Sequence, residues 1–314
     1  MATSEVAPQK HSMSTKHMTP IIDTHHHLWA LGKGHYPWLE HAPITTHFGD
    51  YGPIRRDYLP ADYRADTAGF DVVKSVHVQA EWDENDPVAE TGWLESQAQA
   101  HGVPDAIVAF AVLQSPRIAE TLDAHGAASP RLRGIRMLLR KPNQLAGDPN
   151  AKSTLLADPA WRRGFALLGP RKLAYDLQAP PPLMPDAARL AADFPETAIV
   201  LTHCGLPLDK SPEAMAAWRA GVVQLARCPN VVAKISGLGL ADRALRPDVL
   251  RPIVHHLLDS FGPARCMYGS NFPVDKLMSG YDRNLGLARE LVLAWSPDAE
   301  RAVFHDTAAR VYRI

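Results

Sequence analysis

Apolar residues along the chain gather into short β-rich runs, each followed by a longer stretch in which Ala, Leu and charged residues recur in a helix-compatible pattern. Eight runs are read: Ile21–Thr24, Val72–Gln79, Ile107–Leu113, Leu132–Leu138, Leu173–Leu177, Ala198–Thr202, Val231–Ser236 and Cys266–Gly269. Between them, segments such as Asp186–Asp193, Pro212–Arg227 and Pro247–Phe261 open on Asp or Pro and predict amphipathic helices. A proline in the first turn removes only an N–H that would have no partner there. Strands alternating with helices imply right-handed βαβ units on a parallel sheet. Eight such units predict one α/β domain over residues 21–314, a closed (β/α)8 barrel of the TIM type, because a doubly wound sheet more often has about five to seven strands.

Two segments stand outside this rhythm. Residues 1–20 are polar, lack the apolar core of a secretory signal, and read as a disordered leader. The stretch Leu28–Asp71 carries Tyr36-Pro37-Trp38-Leu39, Gly49-Asp50 and several prolines; a connection of that length is expected to cross the barrel mouth.

Composition narrows the function more than the fold. Apolar residues at 46% and charged residues at 21% describe an ordinary soluble chain. With 33 basic against 34 acidic side chains, the net charge of -1 offers no field for nucleic acid or an anionic membrane, so a small-molecule substrate is the expected partner, with a homo-oligomer left open. No apolar run reaches the roughly 18 residues of a membrane span. Cys204, Cys228 and Cys266 show no CxxC spacing, which fits reduced thiols and a cytoplasmic location.

Histidine is the anomaly. Of 15 histidines, eight precede residue 48: His11, His17, His25, His26, His27, His35, His41 and His47. In a barrel the chemistry lies where strands end at the C-terminal face, so the residues closing each run are informative. His25 and His27 follow the first run and, by strand alternation, point one way while His26 points the other. His203 follows the sixth run. Three neutral imidazoles converging at one mouth suit a divalent metal, zinc first, with an open position for water. After the eighth run, where a carboxylate would be expected to take a proton from water, the chain has Asn271, and Asp275 lies four residues on. Gln79, Arg136 and Asp176 end other runs and are candidate substrate-binding groups. Arg136 would grip a carboxylate bidentately, or pair with Asp176 as part of the barrel wall. Lys234 and Ser236 read equally well as strand-end structure, and Glu90 as a residue on a helix flank.

In combination these segments resemble the amidohydrolase superfamily, within it the amidohydrolase-2 branch that includes fuconolactonase-like, sulfomuconolactone and pyrone-dicarboxylate lactone hydrolases. The residues that carry the resemblance are Asp23-Thr24-His25-His26-His27-Leu28-Trp29, Tyr36-Pro37-Trp38-Leu39, Val78-Gln79-Ala80 with Glu90-Thr91, Gly134-Ile135-Arg136 and Tyr175-Asp176-Leu177. It continues through Thr202-His203-Cys204-Gly205-Leu206-Pro207, Lys234-Ile235-Ser236-Gly237-Leu238 and Met267-Tyr268-Gly269-Ser270-Asn271-Phe272-Pro273. The resemblance implies a distorted barrel in which a first-strand histidine pair, a sixth-strand histidine and an eighth-strand aspartate surround a metal or an activated water; some members work without metal. His25, His27 and His203 match that pattern and Asn271 departs from it. An amide cannot titrate. The departure leaves three routes: Asp275 takes the base role, a histidine does, or only activated substrates such as enol lactones are opened. The expected function is a lactone-opening hydrolase, with a non-oxidative decarboxylase or a ligand-binding barrel without turnover as the alternatives.

Overall fold

The structure, a computed structural model, describes residues 19–41, 49–139 and 155–314. The expected leader, apart from its last two residues, lies outside this range, as does His47.

Eight strands form one sheet in chain order: β1 (Ile21–His26), β2 (Val72–Val78), β3 (Ala106–Ala109), β4 (Leu132–Ile135), β5 (Ala174–Leu177), β6 (Ile199–Leu201), β7 (Val231–Ile235) and β8 (Cys266–Tyr268). Every neighbouring pair is parallel. The ends of the sheet meet: Thr24 Oγ1 donates to the Tyr268 carbonyl at 2.6 Å, and a parallel bridge joins His26 to Phe272. This is the (β/α)8 barrel that the alternating pattern predicts. The third and fourth strands end at Ala109 and Ile135, earlier than the apolar runs suggest, because the rest of each run is buried loop at the mouth rather than ladder.

Strand alternation sorts the core into two layers. Ile22, Val76, Val78, Ala106, Val108, Ala174, Val200, Val232 and Met267 form one cluster inside the barrel, packed against Ala308, Val311 and Tyr312. The C-terminal helix Thr307–Tyr312 therefore plugs one end of the lumen. The alternate residues of the strands, Ile107, Ile135, Tyr175, Ile199, Ala233 and Tyr268 among them, pack outward against helices including Met184–Asp193, Pro212–Ala226 and Pro247–Phe261. The inward rows continue toward the mouth as polar residues: Arg136 lies two past Gly134, Asp176 two past Ala174, and Lys234 two past Val232.

The described part of Leu28–Asp71 is tied down at several points. Trp29 and Tyr58 exchange backbone hydrogen bonds at 3.0 and 2.9 Å, and Trp38 Nε1 donates to the Ala80 carbonyl at 2.8 Å. Among the described residues no helix is long and apolar enough to cross a membrane.

Candidate active site

The pairing of β1 with β2 slips between Asp23 and His26, and this irregularity turns the strand end so that three histidines meet. The His25 ring lies 5.1 Å from that of His27 and 4.5 Å from that of His203, centroid to centroid. All three are buried. His27 Nδ1 lies 2.6 Å from the Val78 carbonyl, so this nitrogen carries the proton and Nε2 keeps its lone pair. Neither nitrogen of His25 meets a hydrogen-bond partner. Burial first, then the neighbouring His203, Lys234, His27 and Arg136, holds the His25 pKa well below the ordinary imidazole value. Burial and Arg136 do the same at His27, so both rings are neutral at physiological pH.

His203 sits at a positive φ of 52°, and Ser236 fixes it: the hydroxyl accepts from His203 N at 3.1 Å and stands 3.1 Å from Nδ1. Two glycines leave room for the rings. A Cβ at Gly237 would stand 2.8 Å from His203 Nδ1, and one at Gly269 would stand 2.7 Å from His25 Cβ. Asp23 braces the other side. Its Oδ1 accepts from His25 N and Ser270 N at 3.2 and 2.8 Å, and its Oδ2 from Tyr63 and Tyr281 hydroxyls at 3.0 and 3.3 Å. Ser236, read from the sequence as strand-end structure, and Asp23, named there only within the first-strand motif, are positioning residues; they sit two residues from Lys234 and His25 respectively.

His26 faces away, as alternation predicts, and stacks on Tyr63 at 4.2 Å. His77 shares that outer face, its Nε2 3.5 Å from Glu90 Oε1. Glu90 is on a helix, Pro87–His101, but not on an exposed flank; it is buried and accepts from Ala80 N at 2.8 Å. Its position in the first turn, directed at the sheet, explains the difference. His35 pairs with Glu40 at the surface, and the exposed His41 is its neighbour.

The wall ion pair of Arg136 with Asp176 is replaced by another. Asp176 is fully buried, its Oδ2 2.6 Å from Lys234 Nζ and its Oδ1 accepting from the Tyr312 hydroxyl at 2.9 Å. Both oxygens are taken, so Asp176 stands in the floor of the lumen rather than open to a substrate. Lys234 also donates to the Thr24 carbonyl at 2.6 Å, tying this floor to the strand that bears His25. Arg136 instead donates to the Gln79 carbonyl at 2.6 Å, and its Nε is buried without a partner. The Gln79 side chain is buried and engages Glu81, donating to its carboxylate at 2.9 Å and accepting from its N–H at 2.6 Å.

Asn271 adopts φ 59°, a left-handed conformation that Asn tolerates better than most residues, and its N–H donates to the His25 carbonyl at 2.6 Å. Its side-chain Nδ2 donates to Asp275 Oδ1 at 2.8 Å. Asp275 Oδ2 accepts from Gly239 N at 3.0 Å and Asn284 Nδ2 at 3.1 Å. Burial pushes the Asp275 carboxyl up to about 6 against these three donors.

The donor chemistry of His25, His27 and His203 suits zinc: three buried imidazoles, one fixed through Nδ1 to a carbonyl as metal-binding histidines commonly are, and one with both nitrogens unpaired although buried. Their rings meet edge to face or tilted, and among the described residues no group of three or more His, Cys, Asp or Glu is placed so that it could hold a metal ion as it stands.

Known proteins agree with this architecture. The amidohydrolase family profile matches residues 22–314. Protein y4mH of Sinorhizobium fredii is 38% identical over 294 residues, covering 94% of this chain and 98% of that protein. An L-fucono-1,5-lactonase of Burkholderia multivorans is 32% identical over 304 residues, covering 93% and 96%. An amidohydrolase of Burkholderia multivorans crystallised with bound zinc superposes with a TM-score of 0.77 at 30% identity, over 94% of this chain and 99% of that one. The chain therefore belongs to the amidohydrolase family and is an enzyme of hydrolase type.

Proposed function

We propose that the chain opens a lactone by hydrolysis, with sugar-acid lactones related to L-fucono-1,5-lactone as the first substrate class. The observation that carries this reading is the buried cluster of His25, His27 and His203, with both His25 nitrogens unpaired at the strand ends of the barrel. An unpaired polar group in a closed interior costs about 1–3 kcal/mol; His26 carries such a cost on the outer face, and what sets His25 apart is that its ring converges with those of His27 and His203 at the barrel mouth. The similarity to a lactonase of Burkholderia multivorans supports the choice of substrate class.

A zinc ion held by His25, His27 and His203 would supply Lewis acidity and an acidified water. The chain's own groups then divide the remaining work. Arg136 holds a guanidinium in the lumen with its Nε free to meet a substrate oxygen, and the bond to Gln79 aims it. Asp23 and Ser236 hold the His25 backbone and His203 in register, and the Lys234–Asp176 floor supports the strand that bears His25. In the net reaction water adds to the lactone carbonyl, the ring C–O bond breaks, and a proton passes from the water to the released alkoxide. Asn271 cannot be that proton's carrier.

The test is acid release from a panel of aldonolactones, followed with a pH indicator on protein of measured metal content. Turnover of at least one lactone that rises with bound zinc is the expected result. No hydrolysis across the panel by zinc-loaded protein contradicts the reading.

A further inference from the structure

The sequence leaves open what Asn271 does in place of a carboxylate, and the network behind it answers in hydrogen-bond terms. A side-chain amide has two orientations of nearly identical shape, with oxygen and nitrogen exchanged, so packing cannot choose between them; only its partners can. Asn271 meets a carboxylate, which when ionised accepts and cannot donate. The direction of every bond in the network is then set. The Tyr268 hydroxyl donates to Asn284 Oδ1 at 3.0 Å, Asn284 Nδ2 donates to Asp275 Oδ2 at 3.1 Å, and Asn271 Nδ2 donates to Asp275 Oδ1 at 2.8 Å. Tyr268, Asp275, Asn284 and Asn271 are all buried.

The backbone on which Asn271 sits is equally constrained. Its N–H is bonded to the His25 carbonyl, its carbonyl accepts from Asp275 N at 3.0 Å, and the preceding Ser270 is bonded through its N–H to Asp23. The backbone of Asn271 is thus tied to that of His25, and its side-chain Nδ2 is committed to Asp275.

We propose that Asp275 is a positioning residue that locks the Asn271 amide with Nδ2 turned to the carboxylate and Oδ1 presented to the reacting water or substrate hydroxyl beside His25. This inference rests on the hydrolase reading and deepens it. The group at the eighth strand end is then a fixed hydrogen-bond acceptor that orients the nucleophile, while the proton it cannot take is handled elsewhere in the site. Asp275 is held by three donors and serves the amide from behind.

Two measurements test it. In uniformly 15N-labelled protein the Asn271 side-chain signals are assigned by their loss in Asn271→Asp. The lock predicts one exchange-protected, downfield Nδ2 proton in the wild type, and its loss in Asp275→Asn. A freely exchanging Asn271 amide in the wild type overturns the lock and needs no Asp275 variant to fold. In kinetics, Asp275→Asn should lower kcat by about 10–100-fold with KM nearly unchanged, the range seen when a group that orients a site residue is removed. The exchanged pair Asn271→Asp/Asp275→Asn, which restores an amide donating to a carboxylate, should recover part of that loss. An unchanged kcat in folded Asp275→Asn overturns the positioning role. Absence of wild-type turnover on every lactone overturns the hydrolase reading and this catalytic role together, whereas the amide signals decide the lock by themselves.

Discussion

The barrel lumen contains two buried polar layers, and they are built on opposite principles. In the lower one Lys234, Asp176, Tyr312 and the Thr24 carbonyl close on one another, with both Asp176 oxygens taken. In the upper one His25 stands next to His27 and His203 with neither of its own nitrogens bonded. Unpaired nitrogens alone do not set the upper layer apart, since buried His26 on the outer face has them too; the convergence of three imidazole rings at the strand ends does. The two layers differ in that one is hydrogen-bonded within itself and the other leaves His25 unbonded.

The largest effect on stability should come from breaking the complete layer. Asp176→Ala leaves a lysine buried without its counter-charge and should cost about 3–5 kcal/mol by chemical denaturation, while the paired replacement Asp176→Leu/Lys234→Met should cost far less. A single substitution losing under about 1 kcal/mol would show that the lower layer is not a closed ion pair but reaches solvent.

A smaller effect is expected at the edge of the upper layer. Asn271→Asp removes the donor to Asp275 and sets two carboxylates in contact, so one must hold a proton. Burial already lifts Asp275 to about 6, above its ordinary value of 3.8. A carboxyl whose folded pKa is raised stabilises the fold below its unfolded value and loses that contribution as pH rises through the folded one. The variant should therefore be weaker than wild type at pH 8 and recover toward it at pH 5. A deficit independent of pH would mean that the two groups do not touch.

The smallest change concerns His26, on the outer face. Its pKa is held well below the ordinary imidazole value, by burial first and then by His77. Such a group favours the fold above its unfolded value and loses this as pH falls below about 6.5. His26→Phe keeps the stacking on Tyr63 and removes two unpaired nitrogens. It should be stabilising, on the order of 1 kcal/mol, at pH 7 and more so at pH 5. A variant that loses activity at unchanged stability would instead give this outer face a part in the chemistry.

Much of this was legible along the chain because barrels write themselves locally. All eight strands overlap apolar runs, and the parity of His25, His26 and His27 separates one ring from the other two; which set faces inward is decided by the β1–β2 slip after Asp23, since Ile22, four residues before His26, is inward. What stayed hidden depends on register between distant strands. The partner of Asp176 is 58 residues away on β7, and only the relative height of β5 and β7 selects Lys234 over Arg136. Glu90 lies on a helix whose first turn points at the sheet, which periodicity alone does not reveal. The left-handed turns at His203 and Asn271, which aim both side chains, are written in single residues with no pattern around them. Ser236 and Asp23 act through bonds to a backbone N–H, a role that residue type does not announce.

The central claim, that the incomplete upper layer is a ligand site of a hydrolase, is tested most directly by titrating zinc into metal-free wild type and His25→Ala while following lactone hydrolysis in the same samples. Wild type should bind one zinc per chain and gain activity in proportion, and His25→Ala, folded and of similar stability, should lose at least about 100-fold of that activity together with the zinc affinity. Equal zinc binding and equal turnover by the two proteins would contradict it.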